Sequence, residues 1–371
     1  GCTGESSLQP LSEQAAPVNQ FRARSEALTL ADGGQCPIVV NADAELMIRN
    51  LLVVEDPIRT NWSGSLTNPS DGAWTFGRLM TVMAGQNDPE LFVRTWLAQW
   101  DTTQTVNGLP VPPRPMNALV TQPWLTASGG ARLDLRRAPF RLLAIVNRMD
   151  LRDLTRGSAG EGRFVFGVLG AGGNQLQFTV ILEFNLPATT QADIDRWAAD
   201  WHALGAQPIG SPGYNQALET ITSRFAGAAV SPTRPNGSAI NQVRSNEIAL
   251  SAPWELREFR LNAAGQLVQV PVAQTTDLPL NNSPALAQFI NANTAALLTD
   301  THVVPASFNG APFLAGSALT NFGHTWRAPG ITNNEARFHF SVNTCNGCHA
   351  GETNTPFLHV FPRNPGQVAA L

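Results

Sequence analysis

The run Thr344-Cys345-Asn346-Gly347-Cys348-His349 sets two thiols and an imidazole within five consecutive positions. At this spacing the thiols stand about one helical turn apart, so each can add to one vinyl group of a porphyrin. The histidine that follows directly is then held beneath the iron as an axial ligand. The same residues also suit half of a zinc site, or a redox dithiol that closes to a disulfide. Haem c is the reading carried forward, with zinc as the alternative. A covalently held cofactor cannot be lost by dissociation, which suits work outside the cytoplasm.

An iron held by His349 needs a second axial ligand or an open face. Of six histidines, His302, His324, His339, His349 and His359 fall in the last seventy residues, and only His202 lies elsewhere. Met47, Met80, Met83, Met116 and Met149 all lie far upstream, which favours two histidines, or an open face, over a His/Met pair. His359 is the first choice for the second metal ligand and His324 the second choice. Ten residues separate His359 from His349, and an extended chain of that length reaches about 33 Å. His339, inside Arg-Phe-His-Phe-Ser-Val, reads equally as a hydrogen-bonded packing residue.

Charged residues set into apolar stretches form a second group: Arg148, Asp150, Glu161, Arg163, Arg244 and Glu247. Buried charges must be paired, so these are expected to form one ion-pair network. The functional alternative is a polar cleft with an acid/base glutamate and an arginine that grips a carboxylate.

The 371-residue chain contains no lysine, and all 24 basic residues are arginine. This removes Walker-A phosphate binding and Schiff-base chemistry. A net charge of −4 and pI near 5.9 leave no electrostatic footprint for nucleic acid. Neither H-E-x-x-H nor G-x-S-x-G occurs. The glycine run at 170–173 lacks the third glycine of a dinucleotide loop and leads into a strand.

The elements that must position these groups read as α+β: a mostly antiparallel sheet packed with helices, then a loop-rich C-terminal segment carrying the cysteines. Residues 1–30 form a tether, 31–300 the α+β domain and 301–371 the haem- or metal-binding segment. Ile38–Val40 and Leu51–Val54 read as strands, as do Phe140–Val146, Glu247–Leu250, Glu255–Leu261 and Gln266–Val272. Arg163–Leu169 and Leu176–Leu186 flank a glycine turn as a hairpin. Helices are expected over Trp74–Ala84 and after Asp88-Pro89, the latter burying Leu91, Phe92, Trp96, Leu97 and Trp100. Others follow Thr190, where Asp193 completes a capping box, and Ser283-Pro284, and one carries Tyr214 to Phe225. Residues 107–115 read as a stiff proline-rich connector.

Cys345, Cys348 and His349 resemble the attachment motif of c-type cytochromes, and the resemblance covers those residues alone. Cytochrome c domains usually place the motif early, with the distal ligand well downstream, whereas 22 residues follow here. The series Asn147-Arg148-x-Asp150, Gly160-Glu161-x-Arg163-Phe164, Trp254-x-Leu256-Arg257-Glu258-Phe259 and the cysteine motif is similar to a family of uncharacterised exported bacterial proteins. Gly1-Cys2 before a polar stretch resembles the processed end of a bacterial lipoprotein, which implies lipid on Cys2. The location implied is the bacterial cell envelope, periplasmic or outer-surface. Cys36 is expected to be a buried, inert thiol, or to pair with Cys2. The functional expectation is an exported haem redox protein whose partner is a redox protein or a small molecule. Nucleic acid is not expected, and membrane contact only through the Cys2 lipid. The rival is a non-enzymatic envelope lipoprotein with a structural Cys/His metal site or a disulfide.

Overall fold

The computed structural model describes residues 47–349 and 351–371. The tether, the strand at Ile38–Val40, Cys2 and Cys36 lie outside the described residues. The fold is α+β, built on a nine-stranded antiparallel sheet. Its strands are β1 (Met47–Ile48), β2 (Phe140–Arg148), β3 (Ser158–Leu169), β4 (Gln175–Pro187), β5 (Ile240–Glu247), β6 (Trp254–Leu256), β7 (Glu258–Leu261), β8 (Leu267–Val270) and β9 (Ala318–Thr320). They lie in the order β1-β2-β3-β4-β5-β6-β9, with β7 also pairing β5 and carrying β8. The sheet forks where Arg257 interrupts a strand. Its carbonyl still accepts from Ser245 N–H at 2.9 Å, but its own N–H turns to the Ser245 hydroxyl at 3.0 Å.

Alternation gives the sheet two unlike faces. On β3 and β4, Phe164, Phe166, Val168, Phe178, Val180, Leu182, Phe184 and Leu186 join the main apolar core. Helices α1 (Phe76–Ala84), α2 (Pro89–Ala98), α3 (Gln191–Ala203) and α4 (Pro212–Ala226) pack into the same core. Each starts at a side-chain cap: Thr75, Asp88, Thr190 with Asp193 in a capping box, and Ser211. Such caps satisfy backbone N–H groups left orphaned by the helix start. The intervening positions Glu161, Arg163, Val165, Thr179, Ile181, Glu183 and Asn185 face the other way, into a cavity of about 1400 Å³.

The C-terminal part roofs that second face. Helix α5 (Pro284–Ala292) and helix α6 (Asn334–Val342) share an apolar cluster with Val304, Phe313 and Trp326, so packing crosses residue 300 without interruption. The chain then forms the short α7 (Cys345–Cys348) and returns over β2 and β3. There Val360 and Ala369 pack with Leu143, Ala144, Val146 and Val165. Arg363 anchors the return by donating to Leu142 O at 3.0 Å. Among the described residues, no helix is long and apolar enough to cross a membrane.

Several local expectations are corrected. Leu51–Val54 is a helical turn, because the Asn50 side chain caps it by accepting from Leu52 N–H. Leu91 points to solvent at 52% exposure, so the buried stripe of α2 runs through Phe92, Val93, Trp96 and Leu97. The strand expected at Glu247–Leu250 ends at Glu247 and begins at Ile240, since pairing with β4 fixes its register despite its polar residues. The proline-rich connector holds a strand, Leu109–Val111, paired to Gln104–Val106.

Candidate functional site

The cysteine motif is held rigidly. Thr344 caps α7 by accepting from Gly347 N–H at 3.0 Å, and its hydroxyl donates to Ser341 O at 2.7 Å. The indole N–H of buried Trp326 reaches both Thr344 Oγ1 and Asn346 Oδ1, each at 2.9 Å. Position 347 requires glycine, because an added Cβ would lie 2.0 Å from Ser341 O. Cys345 N–H donates to Thr275 Oγ1 at 3.0 Å, tying the motif to the segment after β8. Cys345 and Cys348 form no disulfide, and both line the cavity with His349 and His359.

His349 sits in an aromatic stack. Its ring lies 4.7 Å from Trp254, inclined by 25°, and Trp254 in turn stacks on Phe357 at 5.4 Å and 11°. His359 stacks on the His349 ring as well, 3.9 Å away and within 3° of parallel. Ligand atoms of Cys348, His349 and His359 all fall within 4.8 Å of one another. Burial, then the neighbouring His359, pushes the His349 imidazole well below its ordinary range. Burial alone brings His359 down to about 4. Both rings are therefore neutral near pH 7, the form that ligates metals. His349 Nδ1 and His359 Nε2 are buried without a hydrogen-bond partner. Leaving such atoms unsatisfied costs about 1–3 kcal/mol each, and each is a nitrogen that can ligate a metal. Burial pushes the Cys345 thiol up, opposed by the Arg244 guanidinium and Thr275, which speaks against a standing thiolate nucleophile.

The placement of the second histidine departs from the sequence expectation in geometry. His359 rests face to face on His349, in van der Waals contact, and not across a gap that a macrocycle would fill. His324 stays outside the donor group: its ring meets Trp326 edge-on at 5.1 Å, while its carbonyl accepts from Gly351 N–H at 2.9 Å. His339 pairs with Asp300 at 2.8 Å, and His302 is buried beside Phe340. No described methionine lines the cavity.

The charged residues form more than one network. Facing the cavity, Arg163 meets Glu161 at 2.6 Å and Glu183 at 3.4 Å, and Arg244 meets Glu183 at 3.7 Å and Glu258 at 3.3 Å. Arg148 pairs with Asp150 beside them at 2.5 Å. Glu247 belongs elsewhere: Arg114 bridges it to Glu255, at 2.7 Å each, and Arg257 adds a 3.0 Å bond to Glu255. The reason is the strand period, since positions 244 and 247 are an odd number of residues apart and face opposite sides. Sequence reasoning missed Glu183 and Glu258 as members, although each interrupts an apolar alternation. It also missed Thr275, Trp254 and Trp326 as supports of the motif, for which single residues give no pattern.

Comparison with protein-family models, with curated proteins and with solved structures finds no match to this chain.

Proposed function

We propose that the protein is a c-type haem protein of the bacterial cell envelope, acting in electron transfer or related redox chemistry. One observation carries the reading: both cysteines and both neutral histidines open onto a single cavity of about 1400 Å³. That exceeds the roughly 300–1,000 Å³ usual for small-molecule sites, room on the scale of a large cofactor. The donor chemistry fits as well. Cys345 and Cys348 would carry the thioether bonds, and His349 an axial nitrogen. Bound there, haem supplies one-electron exchange at its iron. The chain itself buries the motif, keeps His349 neutral and oriented through Trp254, and lines the remaining wall with paired charges. For His359 to serve as a second iron ligand, it would have to leave its stack on His349. A low-spin spectrum that turns high-spin in His359→Ala supports that role, and an unchanged low-spin spectrum removes it.

Envelope location belongs to the same proposal, with lipid on Cys2 as the anchor. Cys2→Ser should move the protein from the detergent phase to the aqueous phase without altering the cavity site.

A second reading rests on its own observation, the closeness of the Cys348, His349 and His359 donor atoms. One sulfur and two nitrogens are a donor set suited to zinc, leaving a fourth position open. Expression with a cytochrome-maturation system separates the two. A Soret band that survives acid-acetone extraction supports haem, and stoichiometric zinc without that band supports the alternative.

A further inference from the structure

The chain carries a net charge of −4, yet seven arginines line the cavity against five Asp or Glu side chains. Five of these arginines have a carboxylate partner. Arg152 and Arg234 do not, among the described residues. Arg152 donates only to Met149 O, at 3.4 Å. Arg234 is held by neutral acceptors: Ala239 O at 3.0 Å, Ile240 O at 2.7 Å and Asn241 Oδ1 at 3.2 Å. Both guanidinium groups line the cavity, where an anionic group of a ligand can pair with them.

The topology places both at one end of the sheet. Arg148 of β2 stands opposite Glu161 of β3, which stands opposite Asn185 of β4, whose N–H bonds Ala239 O at the start of β5. Arg152 follows β2 and Arg234 precedes β5, and both line the cavity from the loops at this end. The cysteines lie toward the other end. Asn241, which Arg234 holds, precedes Arg244 by three residues, about 10 Å of strand, and Arg244 is the cation beside Cys345.

We propose that Arg152 and Arg234 form a carboxylate-binding end of the cavity, matched to a ligand with two carboxylates. Guanidinium is the side chain best shaped for such groups, through paired N–H donors. Two sources present this chemistry. A porphyrin bonded at Cys345 and Cys348 would direct its two propionates this way, since they leave the macrocycle on the edge away from the vinyl carbons; this source rests on the haem reading. The other is a diffusible dicarboxylic acid, which does not.

Succinate is the probe, titrated calorimetrically into the full chain made without the maturation system, with folding checked by circular dichroism. The proposal expects saturable binding, weakened at least tenfold in the double variant Arg152→Gln/Arg234→Gln. Arg234→Lys, which keeps charge but loses the fork, should weaken it less. Arg156→Gln should leave binding unchanged, because Arg156 is exposed and already paired with Asp153. No binding by the folded wild-type chain, or binding that the double variant retains, overturns the proposal. Repeating the titration on haem-loaded protein assigns the source: exclusion of succinate points to propionates, and persistence to a diffusible acid. A chain that takes up no haem yet binds succinate would reject the haem reading and leave this subsite standing.

Discussion

Two arginine–glutamate networks approach β5 from opposite sides. On the helix side, Arg114, Glu247, Glu255 and Arg257 are sealed, with side-chain exposures of 6%, 0%, 1% and 0%. Arg114 also donates to Ser251 O and Pro253 O, and Arg257 to Pro112 O. This cluster bolts the proline-rich connector and the turn before β6 to the sheet. On the cavity side, Arg244, Arg163 and Glu161 keep 12–15% exposure, and Arg260 keeps 50%. Each carboxylate there has more than one partner: Glu183 pairs with Arg163 and Arg244 and accepts from Gln242, and Glu258 accepts from Arg244 and Arg260. The residue types are the same, and access to the cavity separates the roles. The sealed cluster fixes structure, while the open one forms a redundant electrostatic wall beside Cys345.

The contrast breaks most directly at Arg114. Arg114→Ala strips Glu247 and Glu255 of their shared guanidinium in a closed environment, and breaking a buried pair in this way costs about 3–5 kcal/mol. Urea unfolding should show a loss of that size, whereas a loss near zero would mean that water reaches the cluster.

An effect of the same order should appear on changing pH. Burial raises the Glu247 carboxyl from 4.5 to about 8, with Arg114 opposing and Glu255 reinforcing the rise. Between those values the folded chain holds a proton that the unfolded chain releases. The contribution is therefore fully present below about 4.5 and is lost as pH rises through about 8. Unfolding midpoints should fall across that window in the wild type and flatten in Glu247→Gln.

Gly347→Ala sharpens the cavity side of the comparison. Its methyl group would meet Ser341 O, so the α6–α7 turn must shift, at about 1–3 kcal/mol for such overpacking. Haem incorporation should drop severalfold while the Arg114 cluster keeps its pH response. The smallest stability change is expected for Arg244→Gln, about 1 kcal/mol, because Arg163 and Arg260 still serve the released carboxylates. Its signature is chemical: without the nearby cation, Cys345 in the chain made without haem should alkylate more slowly with iodoacetamide at fixed pH.

Much of the fold was legible because it is local. The alternation of Phe164, Phe166 and Val168 against Glu161, Arg163 and Val165 marks a two-faced strand, and Thr190 with Asp193 announces a helix start. The four-residue run Leu51–Val54 was misread because so short an apolar stretch carries no period, and only the Asn50 cap decides it. Glu247 was grouped with Arg244 although their odd separation along a strand already sets them apart. The motif residues Cys345, Cys348 and His349 were visible from spacing alone. The cavity was not, since its walls come from distant parts of the chain, among them the C-terminal return that packs Val360 with Val165. The stacking of His359 on His349 depends on that same return, and sequence separation limits reach without specifying ring orientation.

Intact mass of the protein expressed with a cytochrome-maturation system tests the central claim most directly. The account predicts a gain of one haem per chain, absent or strongly reduced in Cys348→Ala. An unchanged mass, with one zinc per chain bound at Cys348, His349 and His359, would contradict it.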